Sequence, residues 1–320
     1  GPLAVLVAGL GGWLLTGAAL RPVGRMRRRL EEITGRDTSA RLAVPATRDE
    51  IASLAVTMNG LLGRLQRALA RQRAFTADAG HELRTPLTAL RAELELAARP
   101  GKTRDALTAA VGAAASDTDR LIRLAEDLLL LARTDEGTTF LAPERTDISG
   151  ELHAAARRFA PAAAARDVAI SVQAPEGLVV SADPGRVRQA LGNLVDNALR
   201  HAPQASTVEI SGYLATARAG TAEQETCCGS ADQPAAPAGQ QVVTIQVQDH
   251  GPGFPPEFLP HAFERFQRAD PARSRAEGGA GLGLAIVASI ARAHGGWAEA
   301  GNHPGGGAWA RIELPVDSGR

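Results

Sequence analysis

The spacing of the apolar residues changes once along the chain, near Asp135, and that change sets the fold class. Before it, Ile51, Leu54, Met58, Leu61 and Leu65 recur at steps of three and four, and Leu107, Val111, Ala114, Leu121, Leu124, Leu128 and Leu131 form a second such stripe. Steps averaging about 3.5 residues put apolar groups on one side of a helix packed in a bundle, not on a strand. Pro100-Gly101 breaks the pattern and predicts a helical hairpin from about residue 71 to residue 133. After Asp135, strand patterns at 168–172, 178–182, 208–213, 242–249, 297–300 and 308–314 alternate with helical ones at 184–201 and 282–294. The front of the chain is therefore expected to be all-α and the back α/β, and 320 residues fit about two or three domains.

Composition agrees. Hydrophobic residues make up 44% but aromatics only 3%, which suits Ala- and Leu-rich helix packing better than an all-β sandwich. Lys+Arg and Asp+Glu both number 35, so the basic excess of a dedicated nucleic-acid binder is absent and no direct nucleic-acid binding is expected. The only cysteines, Cys227 and Cys228, are adjacent; one such pair neither staples a fold nor completes a four-ligand zinc site, and a reducing compartment follows. They lie in an aperiodic stretch, 215–241, that reads as a flexible surface insertion.

Residues 1–20 carry no charge, and Arg21, Arg25, Arg27, Arg28 and Arg29 follow at once. About 20 apolar residues cross the roughly 30 Å hydrocarbon core, and a signal peptide would carry its basic residues before the apolar run. A transmembrane helix is therefore expected at 1–20, with the chain downstream of it cytoplasmic. Because the sequence opens at Gly1 without Met, an earlier span and an external sensing domain are expected ahead of it.

Within the hairpin, His81 stands apart from the apolar stripe. At about 100° per residue, Leu83, Leu87, Leu90 and Leu94 fall at about 200°, 240°, 180° and 220° from it, so His81 points away from the core. Thr85 and Thr88 share its exposed ridge, and Pro86, lacking the amide that would bond the Glu82 carbonyl, is expected to bend the helix there. A neutral imidazole is a nucleophile, and a neighbouring carboxylate such as Glu82 can take its proton. The run HELRTPL from His81 resembles the phosphoacceptor box of the histidine kinases of two-component systems, although Gly80 stands where family members often have Ser. The resemblance implies that His81 is phosphorylated, that Glu82 acts as base, and that Thr85 positions a water for dephosphorylating the partner.

The second half carries a matching series of motifs. Asn193 and Asn197 are one helical turn apart, and amide oxygens suit a hard magnesium ion without adding negative charge beside a triphosphate. Arg200 and His201 follow. Asp249-His-Gly-Pro-Gly253 comes straight after an apolar strand, then Phe263-Glu-Arg-Phe266, then Gly279-Ala-Gly-Leu-Gly283 opening a helix whose free amides suit phosphate. Their order and spacing resemble the N, first glycine, F and second glycine boxes of the GHKL ATPase fold. That likeness implies magnesium at Asn197 with support from Asn193, and phosphate contacts from Arg200. It further implies adenine packing near His201, adenine recognition by Asp249 with Gly251 and Gly253, and a mobile lid from Phe263 through Gly279, Gly281, Leu282 and Gly283. A P-loop ending at Gly101-Lys102-Thr103 is excluded because Leu96 stands where its first glycine belongs; a dinucleotide fingerprint is excluded by Leu284.

Between the arginines and the hairpin, the order helix, connector, helix, with Asp49-Glu50-Ile51 opening the second, resembles a HAMP linker. Together these readings divide the chain into a transmembrane helix (1–20), a HAMP-like linker (21–71), a dimerisation and histidine phosphotransfer domain (72–136), and a GHKL-type α/β sandwich ATP-binding domain (140–317). The implied protein is a membrane sensor histidine kinase. It uses ATP and Mg²⁺ to phosphorylate its own histidine, then passes the phosphoryl group to an aspartate of a response regulator. Its uncovered Leu stripe calls for a homodimeric four-helix bundle.

Overall fold

The structure, a computed structural model, describes residues 1–3, 5–7, 9–13, 41–44, 50–101, 103–135, 141–216, 227–229, 239–269 and 280–316. The expected membrane span lies partly outside these residues. Where described, residues 2–13 are helical, and among the described residues no helix is long and apolar enough to cross a membrane. Most of the expected linker, including Arg21, Arg25, Arg27, Arg28 and Arg29, also lies outside them.

The chain divides into two compact units, Gly1–Gly80 and His81–Arg320. In the first, residues 41–44 lie against the start of helix α1 (Glu50–Ala97). Leu42 and Ala55 are buried together, with Met58 and Leu62 against them. Asn59 fixes the register by accepting from the Leu42 amide at 2.8 Å and donating to the Leu42 carbonyl at 2.9 Å. Leu54, Leu61 and Leu65, the stripe expected to be packed, are instead exposed. On a helical wheel Ala55, Met58 and Leu62 centre about 70–90° around from that stripe, so the connector occupies a neighbouring face and leaves the heptad seam uncovered within one chain.

Helix α1 runs 48 residues without interruption, so the expected boundary between linker and hairpin at residue 71 falls inside one continuous helix. It also runs through Pro86, whose missing amide costs one helical bond but does not end the helix. The hairpin turn falls where Pro100-Gly101 predicts it: α1 ends at Ala97, Gly101 adopts φ +89°, and α2 (Arg104–Asp135) begins after Thr103, whose hydroxyl accepts from the Ala106 amide at 3.3 Å.

The α/β part has two sheets. Strand β1 (Glu144–Asp147) pairs antiparallel with β3 (Val179–Ala182). The larger sheet holds β2 (Val168–Gln173), β4 (Ser206–Thr216), β5 (Cys227–Gly229), β6 (Gln241–Gln248), β7 (Trp297–Asn302) and β8 (Ala308–Pro315), in the order β2-β4-β6-β8-β7-β5. Only β2 and β4 are parallel. Helices α3 (Ile148–Ala164), α4 (Pro184–His201) and α5 (Gly283–Ala293) pack together and against the larger sheet. Ile245 and Ile312 face each other in register, and with Ile210, Leu152, Leu191, Leu194, Ile286 and Ile290 they make a fully buried aliphatic core. Along β8, Trp309, Arg311 and Glu313 alternate with Ala310 and Ile312 and so take the opposite face. There the Arg311 guanidinium lies 5.0 Å from the Trp309 ring and pairs with Glu299, which stands opposite it on β7.

Of the stretch 215–241, expected as a flexible surface insertion, residues 217–226 and 230–238 lie outside the described residues, and the described ones take part in the larger sheet. Ala215 and Thr216 continue β4, Gln241 opens β6, and the backbone of Cys227–Gly229 forms strand β5, paired antiparallel with β7 from Gly301 to Glu299. An open sheet edge supplies backbone donors and acceptors to any segment that reaches it, whatever its apolar pattern.

Candidate functional site

The site begins with α4. Asp183 caps it, accepting from the Arg186 amide at 3.1 Å, and Pro184 occupies the first turn, where no amide partner is needed. Burial works against the Asp183 charge, but the amides of Ala142, Arg186 and Gly185 hold its carboxyl below the usual carboxylate range. Val187, Leu191, Leu194, Val195 and Ala198 are buried on the core side. Asn193 and Asn197 are left half-buried at the margin of that face. The Asn193 amide nitrogen is buried with no hydrogen-bond partner among the described residues, and Asn193 faces the start of α5: a Cβ placed on Gly283 would lie 3.8 Å from the Asn193 Cβ. Arg200, the expected phosphate contact, pairs with Asp196 one turn earlier, at 2.6 Å. His201 is exposed at the helix end, and its carbonyl lies so near Gly251 that a side chain there would overlap it.

Asp249 directly follows β6 and is only 2% exposed. Its Oδ1 accepts from the amides of Gly251 (2.8 Å) and Ala308 (3.3 Å). Burial pushes its carboxyl above the ordinary value, an effect these amides partly offset. The next loop is pinned at its far end by Asn302 on β7, whose side chain accepts from the Phe254 amide at 2.7 Å and donates to the Phe254 carbonyl at 2.8 Å.

After a short 3₁₀ turn at Leu259–His261, Phe263 is buried. Phe266 has a left-handed φ of +60°, and its amide donates to the Gly281 carbonyl at 2.9 Å. Gly281, at φ +68°, packs so closely on Phe266 and Gln267 that a Cβ there would lie 2.9 Å from backbone atoms. The two feet of the expected lid are thus tied together, and Leu282 is buried behind them. Gly279 lies outside the described residues.

On the hairpin, His81 is exposed, as its position on the helix predicts. Thr85 donates its hydroxyl to the His81 carbonyl at 3.2 Å. Glu82 is engaged from the other end of the chain: Arg268, two residues past Phe266, donates to its carboxylate at 2.7 Å. Two further ties join hairpin and α/β part. Arg265 reaches the Leu131 carbonyl at 3.3 Å, and the Gln189 amide donates to Asp127 at 2.9 Å. Burial pushes the Asp127 carboxyl up to about 6, with Gln189 and Arg123 opposing the rise and Glu126 adding to it. Sequence reasoning missed Arg268, Arg265, Asn302 and the Asp127–Gln189 pair. Glu82 and Arg268 are 186 positions apart, and neither residue type carries a signal of the pairing.

Three domain families match the chain in order: the HAMP domain at residues 14–67, the His Kinase A (phospho-acceptor) domain at 71–137, and the histidine kinase-, DNA gyrase B- and HSP90-like ATPase at 182–318. The Escherichia coli signal transduction histidine-protein kinase BaeS is 32% identical over 317 residues, covering 98% of this chain and 62% of that protein. The chain spans about half to three-fifths of the length of the curated relatives it matches. Among solved structures, the Acinetobacter baumannii histidine kinase AdeS superposes with a TM-score of 0.53 at 21% identity, over 74% of this chain and 98% of that one, which is a likeness of fold. Full-length ShkA in complex with AMPPNP gives a TM-score of 0.51 at 27% identity, over 78% of this chain and 47% of that one. With a HAMP, a phosphoacceptor and an ATPase domain in that order, the chain belongs to the sensor histidine kinases.

Proposed function

We propose that this chain is the signalling portion of a membrane-anchored sensor kinase that phosphorylates His81 from ATP and hands the phosphoryl group to an aspartate of a response regulator. The observation that carries the reading is the 2.7 Å pair between Glu82 and Arg268, which sets the foot of the nucleotide lid against the neighbour of His81. ATP enters between α4 and the 249–283 segment, with its adenine amino group donating to Asp249 beside Gly251 and Gly253. Its ring lies near His201, and its phosphates meet the amides at Gly281, Leu282 and Gly283 under a lid that also takes in Phe263 and Gly279. The buried Asn193 amide on this face, without a partner among the described residues, is the group a polar ligand would satisfy. Asn197 and Asn193 would hold Mg²⁺ through their amide oxygens, and Arg200 would exchange Asp196 for a phosphate oxygen. When bound, the ion offsets charge on the triphosphate as the phosphoryl group moves.

In the transfer itself, an imidazole nitrogen of His81 forms the new N–P bond as the bond to the ADP oxygen breaks. The ring's other nitrogen gives its proton to Glu82 once Arg268 releases that carboxylate. Phosphohistidine then passes its phosphoryl group to the regulator's aspartate. Thr85, freed from the His81 carbonyl, positions a water that attacks the regulator's aspartyl phosphate, breaking its P–O bond and releasing inorganic phosphate and the free carboxylate. The HAMP domain and the uncharged run at residues 1–20 support a membrane anchor with the catalytic part cytoplasmic, and the uncovered stripes support a homodimer. Incubation with labelled ATP and Mg²⁺ is expected to give acid-labile phosphate that His81→Gln abolishes. No such phosphate in the parent chain, or equal labelling in the variant, would overturn the reading.

A further inference from the structure

We infer that Asn302 is a positioning residue for adenine recognition, acting through Asp249; the inference rests on the reading of Asp249 given above. The loop from Asp249 to Phe254 is anchored at each end, and between them the His250 ring bonds the Thr207 carbonyl at 2.9 Å. At its start, the Asp249 amide donates to the Ala308 carbonyl at 2.9 Å, and the Ala308 amide returns a bond to Asp249 Oδ1 at 3.3 Å. At its end, Asn302 takes both the amide and the carbonyl of Phe254. Since Asn302 is paired with Ala308 across the β7–β8 ladder, both anchors stand on the same rung of the sheet. The Asn302 side chain does for the loop what a neighbouring strand would do, matching one donor and one acceptor of a single residue.

The glycine between the anchors makes this contact possible. Gly253 adopts φ +79°, and a Cβ there would lie 2.7 Å from the Asn302 oxygen, so only glycine lets the amide approach. Beyond the anchor, Phe254 stacks on Phe258 with ring centroids 5.8 Å apart, just before the 3₁₀ turn that leads to Phe263 and the lid. Asn302 thus fixes the direction in which Asp249 presents its carboxylate and the point where the chain leaves for the lid. Its role is exerted through the loop rather than on the nucleotide itself.

The test uses the full chain with Asn302→Ala and Asn302→Asp, the second keeping the acceptor for the Phe254 amide but losing the donor. Each variant is first checked for an unchanged melting curve, then titrated with ATP and with GTP, whose base lacks the amino group Asp249 would accept. Loss of two neutral hydrogen bonds is expected to weaken ATP binding by about tenfold in Asn302→Ala, with Asn302→Asp intermediate. GTP binding should change little, so that the preference for ATP falls. Autophosphorylation should show a raised KM for ATP and a nearly unchanged kcat. Unchanged ATP affinity in folded Asn302→Ala, or equal weakening for both nucleotides, overturns the inference. Asp249→Asn, run alongside, separates the two readings. A loss there with none in Asn302→Ala sinks the positioning role alone, and no loss in either sinks the adenine reading. A loss confined to Asn302→Ala removes Asp249 from the argument.

Discussion

The hairpin and the α/β part bury their apolar residues to very different degrees. In the α/β part, the aliphatic side chains facing the helix layer are closed off, from Leu152 and Leu191 to Ile286 and Ile312. On the hairpin, Leu87 is 51% exposed and Val111 66%, while at the far end of α2 Leu131 is fully buried. The same kind of stripe is therefore closed off where α2 meets the α/β part, half-buried at Ala114, Leu121 and Leu124, and open at Leu107 and Val111. One part closes its core within a single chain, and the other leaves much of its stripe open, as the proposed homodimer would require.

The largest expected effect comes from cutting the complete core. Leu191→Ala should cost about 2–5 kcal/mol and lower the melting temperature of the ATP-binding part, read by calorimetry with and without nucleotide. A cost near zero would mean that this core is not closed. Leu87→Glu should do the converse. It should change that melting step by less than about 0.5 kcal/mol, because the position is exposed within one chain, and should shift sedimentation from dimer to monomer. A loss of stability like that of the core cut, with no change in mass, would break the comparison. The smallest effect lies where the two regions meet. Burial disfavours the charged form of Asp127, so stability should fall as pH rises from about 4 to about 6 and level off above that, since the native state holds the proton more tightly than the unfolded chain does. Asp127→Asn should flatten that limb of the pH profile, while an unchanged profile would place the titration elsewhere.

Helix α4 could be read directly from the sequence because its signals are local: the Asp183 cap, Pro184 after it, and an apolar face spaced for burial place it at Pro184–His201, as expected. Most of the larger sheet was readable for a similar reason, as each strand between β2 and β8 except β5 is an apolar run that turn residues bound. Strand β1 was not, since Glu144–Asp147 is wholly polar and is held by pairing with β3 rather than by burying apolar side chains. Helix α3 was hidden by an Ala-rich composition and by Pro161 within it, and β5 by its reliance on backbone pairing alone. The motif residues of the candidate site stand out in the sequence; what holds them in place does not. Asn302, Arg268 and Gln189 act on residues far away in the chain, and a single Asn, Arg or Gln on a polar face has no period to reveal it.

The placement of the aromatic residues has a spectroscopic consequence. The chain has three tryptophans, and in the α/β part both of them, Trp297 and Trp309, alternate out of step with the buried Ala298, Ala310 and Ile312. Both therefore emit from the face of the sheet opposite its helices, Trp309 with a guanidinium across its ring. Fluorescence from these two would report on strain in that open face and on the Arg311–Glu299 pair, not on the proposed adenine site beside Asp249. A tryptophan introduced at Phe254 or Phe258 would place the reporter on the loop proposed to meet the nucleotide.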